Sequence, residues 1–268
     1  MSAETEILNR KGARGESLLN PITIAMNLVA YPMLALWTLV GIALFPIGFV
    51  LWKLFTRWSS GRIMRHFIWI YGQGWLLLMA PFIRFRREGF QNLRTDESCV
   101  IVVNHLSFFD TYCMSLLPIH DIIFAVRAWP FGIICYGWFM RLAEYLNVET
   151  SEWKEVQQKA TVIFADGGRL LFFPEGHRSR TGELQRFQSG AFKLASDMKV
   201  CVIPLCIKGT DNLLPPGRLW LRPAEITLRV LPPLEGRDFP GNDGARKLRE
   251  LVHARIAENL MEMQNRAV

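Results

Sequence analysis

A histidine and an aspartate stand close together in the polar segment Asn104-His105-Leu106-Ser107-Phe108-Phe109-Asp110. A histidine can take a proton from an alcohol near neutral pH. A carboxylate that accepts a hydrogen bond from one ring nitrogen leaves the other nitrogen free as a base. We therefore predict that His105 is a general base oriented by Asp110, and that a substrate hydroxyl is the nucleophile. On spacing alone, an alternative stays open in which His105 caps a helix and Asp110 only lies in its first turn.

A second polar segment runs from Phe172 to Arg180 and interrupts an apolar run at Pro174 and Gly176. Such a loop offers backbone N–H groups to an anion, and an arginine can bind a phosphate through two parallel hydrogen bonds. The segment therefore predicts an anion site that includes Arg178. The alternative is a turn that ends a strand and carries solvated arginines.

Both segments follow short apolar runs that indicate buried strands, which is where α/β folds display functional groups. The predicted strands are Cys99–Val103, Ile122–Val126, Leu170–Phe173, Cys201–Ile207 and Ile226–Leu231. A helix is predicted from Glu152 to Asp166, and apolar residues from Leu248 to Met263 mark one face of a terminal helix. This alternation predicts an α/β fold with a mixed sheet flanked by helices.

The segment from Pro21 to Trp52 contains no charged residue, and about 20 apolar residues suffice to span a bilayer. We predict an N-terminal membrane-inserting helical segment. Its prolines and glycines leave two forms open, a kinked transmembrane helix and a shallow hairpin of two half-helices. The aromatic-rich stretch from Phe67 to Phe85 is compatible with an interfacial position or with an ordinary core helix.

These features predict three parts: a polar segment at 1–20, a membrane anchor with interfacial helices at 21–87, and a catalytic domain at 88–268. Four basic residues follow the apolar segment without an intervening acid, and this predicts that the downstream body faces the cytoplasm. They are Lys53, Arg57, Arg62 and Arg65.

The composition narrows the possible partners. Half of the residues are hydrophobic, nine are tryptophan and the net charge is +7, which favours a lipid surface or another anionic partner. The chain has no G-x-S-x-G, no G-x-x-x-x-G-K-[ST] and no histidine pair with ligand spacing, so a hydrolase, a nucleotide-binding enzyme and a metal site are disfavoured. The five cysteines form no C-x-x-C pair, and we expect reduced, buried thiols.

Taken together, four blocks resemble the glycerolipid acyltransferase family, which includes the bacterial 1-acylglycerol-3-phosphate acyltransferases. Asn104, His105 and Asp110 match its N-H-x-x-x-x-D motif, and the second segment is similar to its F-P-E-G-T-R-S motif, with His177 in place of Thr. The other two blocks are Phe187 with Gly190–Ala195, and Val202–Leu205. The resemblance covers roughly Leu93 to Leu231.

The resemblance implies that His105, oriented by Asp110, deprotonates a lysolipid hydroxyl, which then attacks the thioester of acyl-CoA or acyl-carrier protein. The substrate-binding residues it implies are Asn104, Arg127, Glu175, Gly176, Arg178 and Ser179. It implies no metal and no cofactor beyond the acyl donor. The expected partners are membrane phospholipid, the lysolipid and the donor, without nucleic acid, at a bacterial inner membrane.

One departure leaves the acceptor open. The family's middle motif usually ends in an Arg that is associated with the acceptor's phosphate, but Leu142–Thr150 contains none, although Arg141 precedes it. The expected acceptor is lysophosphatidic acid. The alternatives are another lysolipid, such as a lysophospholipid or a lyso-ornithine lipid, and a non-catalytic lipid-binding protein at the membrane.

Overall fold

Eight strands form one sheet in the computed structural model, which describes residues 20–215 and 217–266 without the side chain of Cys135. The strands are β1 Ile83–Glu88, β2 Cys99–Val103, β3 Ile122–Val126, β4 Leu146–Asn147, β5 Arg169–Phe172, β6 Cys201–Lys208, β7 Ala224–Val230 and β8 Leu234–Glu235. Their order is β1-β7-β6-β2-β5-β3-β4, and β8 also pairs with β6. The predicted strands are confirmed to within two residues at each end.

The sheet is mixed, as predicted. Strands β6, β2, β5, β3 and β4 are parallel to one another, whereas β7 and β8 run antiparallel to β6. Because β2, β3, β5 and β6 are parallel, the segments that follow them meet at one edge of the sheet. That edge receives both polar segments of the sequence.

Eight α-helices accompany the sheet within the described part of the chain. They are α1 Pro21–Phe55, α2 Ser60–Met79, α3 Asp110–Cys113, α4 Ile134–Leu142, α5 Trp153–Ala165, α6 Gly190–Met198, α7 Thr210–Leu213 and α8 Gly241–Asn265. Helix α5 confirms the predicted helix, and Gly167 follows its end with a positive φ of 74°.

The two faces of the sheet bury alternate residues of each strand. Along β2, Ile101 packs in the cluster that contains Trp75 of α2, whereas Val100 and Val102 pack in the cluster that contains Phe192 of α6. Successive side chains of a strand point to opposite faces, so one run of five buried residues supplies both layers. The helices on both faces therefore hold β2 rigidly in the centre.

Helix α1 is continuous from Pro21 to Phe55, through both of its internal prolines. The predicted alternative of two half-helices within this stretch is therefore wrong. At 1.5 Å per residue its 35 residues extend about 52 Å, more than the roughly 30 Å of a bilayer core. Its most apolar 18-residue window is entirely unburied, so by length and composition this helix is able to cross a membrane.

The first turns of α1 pack against the α/β body. Asn27 donates from its side-chain amide to the Leu221 carbonyl at 2.8 Å and accepts from the Leu221 N–H at 2.9 Å. Met26 and Ala30 lie in the same core cluster as the central strands. The helix is therefore anchored to the body at its N-terminal end. Further along it still packs on one side, as Phe45 does on Phe67 of α2, while its most apolar part stays unburied.

The stretch from Phe67 to Phe85 contributes buried residues to the core. Trp75 and Met79 at the end of α2 are fully buried, and β1 pairs with β7 along six residues.

Arg65, one of the four basic residues behind the orientation prediction, is also buried, and it donates to Asp121 and Glu144. Its charge is therefore neutralised within the body.

The predicted division into three parts stays a prediction. The polar segment 1–20 lies outside the described residues, apart from Asn20, whose side chain caps α1 by accepting from the Ile22 N–H at 3.0 Å. Strand β1 crosses the predicted boundary between residues 87 and 88 and is part of the central sheet.

Candidate active site

His105 lies just beyond the carboxyl end of β2, and Asp110 begins the short helix α3. The Nδ1 atom of His105 is 2.7 Å from Oδ2 of Asp110. Asp110 is fully buried, whereas 17% of the His105 side chain is exposed. The spacing in the sequence therefore brings the two predicted residues into direct contact, with the imidazole on the accessible side.

Four donors converge on the Asp110 carboxyl group. Oδ2 also accepts from the backbone N–H groups of Leu106 at 2.6 Å and Ser107 at 2.9 Å. Oδ1 accepts from the Thr210 hydroxyl. Because two backbone donors already point at Oδ2, this oxygen must act as an acceptor, and Nδ1 of His105 carries the proton. Nε2 is then the free base of the imidazole.

Glu175 connects the two polar segments. Its Oε1 accepts from the His105 N–H at 2.6 Å, and its Oε2 accepts from the Gln185 N–H at 3.0 Å. Burial raises the pKa of Glu175 above its usual value, and the hydrogen bonds from the two backbone N–H groups oppose this rise only in part. This buried side chain therefore fixes the backbone of His105.

Other residues of the second segment complete this connection. The Ser179 N–H donates to the His105 carbonyl at 2.8 Å, and the Ser179 hydroxyl accepts from the Gly182 N–H at 3.1 Å. Gly176 has a φ of 77°, a conformation that glycine adopts without strain. The ring of Phe173 stacks on that of His105, with centroids 4.2 Å apart. The segment after β5 therefore acts as a support for the imidazole.

The side chain of Asn104 is hydrogen-bonded to the backbone of β6. Its amide donates to the Ile207 carbonyl at 2.9 Å, and its Oδ1 accepts from the Ile207 N–H at 2.8 Å. The buried side chain thus replaces one step of strand pairing between the end of β2 and β6. Its contacts indicate a positioning role, although the sequence suggested substrate binding.

The predicted anion-binding arginines lie apart from each other. Arg178 is exposed next to the buried Ser179. Arg127 follows β3, which is two strands from β2 and hence about 10 Å away along the edge. Its guanidinium donates to Glu149, whose other carboxylate oxygen accepts from the Ala128 N–H at 2.9 Å. Arg141 donates to the Phe131 carbonyl at 2.9 Å.

An apolar cavity of about 650 Å³ lies between α1, α2, α4 and β3. This volume is typical of small-molecule sites, which span about 300–1,000 Å³. Phe45, Tyr71 and Phe139 are among the residues that line it, and it reaches Thr111 and Tyr112, directly after Asp110. A long apolar group in this cavity would therefore end close to the dyad.

Sequence reasoning missed Thr210 and Glu149. Thr210 is fully buried and follows β6 after Gly209. It reaches Asp110 because β6 is parallel to β2, so that the segments after both strands meet, and no local pattern in the sequence shows this pairing. Glu149 lies in the very segment that lacks the expected Arg, and its contact with Arg127 depends on β4 lying beside β3, which no local pattern in the sequence shows.

The fold and these blocks define a class of protein. The sequence profile of the acyltransferase family matches residues 84–208, which include both polar segments. The chain belongs to the glycerolipid acyltransferase family, and the predicted resemblance is confirmed.

Within this family, the chain is similar to curated 1-acyl-sn-glycerol-3-phosphate acyltransferases. It is 32% identical to one from Chlamydomonas reinhardtii over 186 residues, which are 68% of this chain and 54% of that protein. It is 31% identical over 169 residues to a chloroplastic one from Brassica napus, covering 61% of this chain and 47% of that protein. The chain thus spans about half the length of these relatives.

A solved structure supports the fold. The crystal structure of a 1-acyl-sn-glycerophosphate acyltransferase from Thermotoga maritima superposes with a TM-score of 0.68 at 23% identity. The match covers 87% of this chain and 95% of that one. The α/β fold with a mixed sheet flanked by helices is therefore confirmed.

Proposed function

We propose that this protein transfers a fatty acyl group from acyl-CoA or acyl-carrier protein to the hydroxyl of lysophosphatidic acid, which gives phosphatidic acid. The observation that carries the proposal is the contact of 2.7 Å between His105 and a fully buried Asp110. A carboxylate with four donors is fixed in position, and it holds the imidazole in the tautomer that acts as a base.

The reaction needs no covalent acyl-enzyme. Nε2 of His105 takes the proton of the acceptor hydroxyl as its oxygen attacks the thioester carbonyl carbon. The tetrahedral intermediate then collapses, the carbon–sulfur bond breaks, and the imidazolium of His105 returns the proton to the leaving thiolate. Asp110 stabilises the imidazolium between these two steps. No metal and no further cofactor take part in this scheme.

The acyl chain of the donor, the acyl chain of the acceptor and the acceptor's phosphate require separate sites. The cavity between α1, α2 and α4 suits an acyl chain, because it is apolar and reaches Thr111 beside the dyad. Arg178, exposed on the loop that supports His105, suits the acceptor's phosphate, since guanidinium groups bind phosphate oxygens in pairs. Glu175, Gly176 and Ser179 hold that loop in place.

One observation favours a second candidate, the acylation of a lysolipid without a phosphate monoester, such as a lyso-ornithine lipid or a lysophospholipid. Arg127 is ion-paired with Glu149 in the region where the family usually supplies an Arg for the phosphate. The carboxylate neutralises this cation and disfavours a doubly charged headgroup there. An acceptor that carries an amine or a single negative charge would be less disfavoured.

The proposed site of action is a membrane, with phospholipid around α1 and the α/β body on the cytoplasmic side of a bacterial inner membrane. Support comes from the unburied apolar length of α1 and from two basic residues, Lys53 in its last turn and Arg57 just after its end. Nucleic acid has no part in this proposal.

Acyl transfer from labelled acyl-CoA to lysophosphatidic acid, in membranes that contain the protein, tests the function. The His105→Ala variant is expected to lose about 10²- to 10⁴-fold in rate, as for a lost general base. A panel of acceptors run in parallel separates the two candidates, and strong preference for a phosphate-free lysolipid would replace the first with the second. An unchanged rate in folded His105→Ala protein would show that His105 is not the base. The absence of acyl transfer by the folded wild-type protein would leave a non-catalytic lipid-binding role.

A further inference from the structure

Three large apolar side chains stand exposed on the α/β body between β3 and the end of α4. They are Trp129, Ile134 and Trp138, which are 61%, 91% and 52% exposed, and we refer to them as the outer patch. Single exposed apolar residues are ordinary, but a cluster within ten residues marks a contact surface. The outer patch therefore needs a partner that covers it.

The same segment is apolar on its inner side. Ile133, Tyr136 and Phe139 line the cavity that we assign to an acyl chain, whereas none of the three outer-patch residues lines it. Ile134 and Trp138 are four residues apart and hence on one face of α4. Helix α4 is thus a thin wall with the cavity on one side and the outer patch on the other.

The outer patch adjoins the unburied part of α1. Phe45 of α1 contacts Trp138 and Phe139, with ring centroids 5.9 Å and 5.6 Å apart. Every residue of α1 from Ile42 to Leu51 is exposed or half-buried. One apolar surface therefore extends from the middle of α1 onto the body, and whatever solvates α1 there also reaches Ile134.

We infer that the outer patch inserts into the acyl-chain layer of the bilayer beside α1. Tryptophans settle at the boundary between headgroups and acyl chains, and an apolar side chain such as Ile134 is stabilised just below it. If the proposed function holds, a lipid chain also passes sideways from the membrane to the cavity, at the place where α1 and α4 meet. The body is then held at the membrane by two surfaces rather than by α1 alone.

A fluorescent label on a single cysteine tests the insertion in the full chain. Ile134→Cys is labelled with the environment-sensitive dye NBD in a Cys135→Ser background, because the other four cysteines are buried. The matched control is Val162→Cys, since Val162 is 63% exposed on α5, which packs on the opposite face of the sheet. Both proteins are mixed with vesicles of phosphatidylcholine and phosphatidylglycerol.

We expect the label at position 134, but not at position 162, to shift to the blue on vesicles. It should be quenched severalfold more by lipids that carry a doxyl group on the acyl chain than by aqueous iodide. Equal iodide quenching at both positions on vesicles would overturn the inference. So would shielding of position 134 in lipid-free solution at rising protein concentration, because that result assigns the outer patch to a second copy of the chain.

An activity measurement separates this inference from the proposed function. Ile134→Asp is expected to lower kcat/KM severalfold for a long-chain acceptor held in vesicles but not for a short-chain acceptor dispersed in water, and Val162→Asp should change neither. Equal losses on both acceptors would contradict the membrane role. If the wild-type protein transfers no acyl group at all, the proposed function fails, and the label still decides whether the outer patch inserts.

Discussion

Replacing Thr210 with valine removes one hydrogen bond from the buried carboxylate and little else. Valine has nearly the shape of threonine, and Thr210 is fully buried, so the packing around α7 is retained. What disappears is the donor to Oδ1 of Asp110, whereas the donors to Oδ2, from His105, Leu106 and Ser107, remain. Oδ1 is then left without its hydroxyl partner in a site that excludes water.

The expected loss follows from the charge of the acceptor. A hydrogen bond to a charged group contributes about 1.5–3 kcal/mol, which corresponds to roughly 10- to 150-fold in a rate or an equilibrium constant. Part of this cost falls on stability. The rest falls on the transition state of the proposed reaction, in which Asp110 stabilises the imidazolium of His105. We therefore expect kcat/KM to fall by about 10-fold or more, with little change in KM for the acyl donor.

The assay is acyl transfer as a function of pH, with Thr210→Ser as the control that restores a hydroxyl. The valine variant should lose rate throughout the pH range, because Asp110 orients the imidazole less firmly without the donor to its Oδ1. The serine variant should stay within a few-fold of wild type, at the wild-type pH profile. If a folded Thr210→Val protein keeps both the rate and the profile of wild type, Thr210 does not position the dyad.

Three further predictions concern the cavity, the pH dependence of stability and the acceptor. Gly41→Leu should shift the preferred acyl chain to shorter lengths, because a Cβ at Gly41 meets only Tyr71 at 3.7 Å and the rest of the leucine side chain fills part of the cavity. Competition between acyl-CoA substrates of different chain length measures this preference, and an unchanged preference would contradict the prediction. Burial lowers the pKa of His66 and His120 below the ordinary value of 6.5, so the unfolded chain binds more protons than the folded one near that pH, and stability falls as the pH drops through 6.5. Thermal unfolding at pH 7.5 and 5.5 should show a smaller decrease in the unfolding temperature for His120→Phe than for wild type. An equal decrease would show that His120 does not contribute to this pH dependence. Arg178→Ala should raise KM for lysophosphatidic acid by roughly 10- to 100-fold, with a smaller effect on kcat. The KM of Arg178→Lys should lie between those of wild type and Arg178→Ala. An unchanged KM in Arg178→Ala would mean that the phosphate binds elsewhere.

The central strands could be predicted because each carries its own local signal. Cys99–Val103 is fully buried and has four β-branched residues in five, and Cys201–Lys208 is buried along its first seven residues. Parallel strands that are covered on both faces require such apolar runs. The dyad could be predicted for a related reason. Its two residues are only five positions apart and follow a strand directly, so local geometry alone brings them together.

What could not be predicted depends on partners that are distant in the chain. Strand β1 contains four charged residues in six and resembles a surface segment, but it pairs with β7, more than 130 residues later. The contact of Thr210 with Asp110 spans 100 residues, and the pairing of Arg127 with Glu149 depends on how β4 lies beside β3. No local propensity encodes such contacts, since they exist only once the order of strands is fixed.

The architecture separates the base from the groups that would choose the acceptor. All four donors to Asp110 come from its own segment or from Thr210 after the neighbouring strand, so the sheet fixes this carboxylate before any substrate arrives. Arg178 and Arg127, in contrast, lie on exposed loops after other strands. A change in those loops alters the charge presented to the headgroup without moving the imidazole. The chain can therefore keep the N-H-x-x-x-x-D residues while Leu142–Thr150 lacks the expected arginine, and the proposed proton transfer is the same for either acceptor.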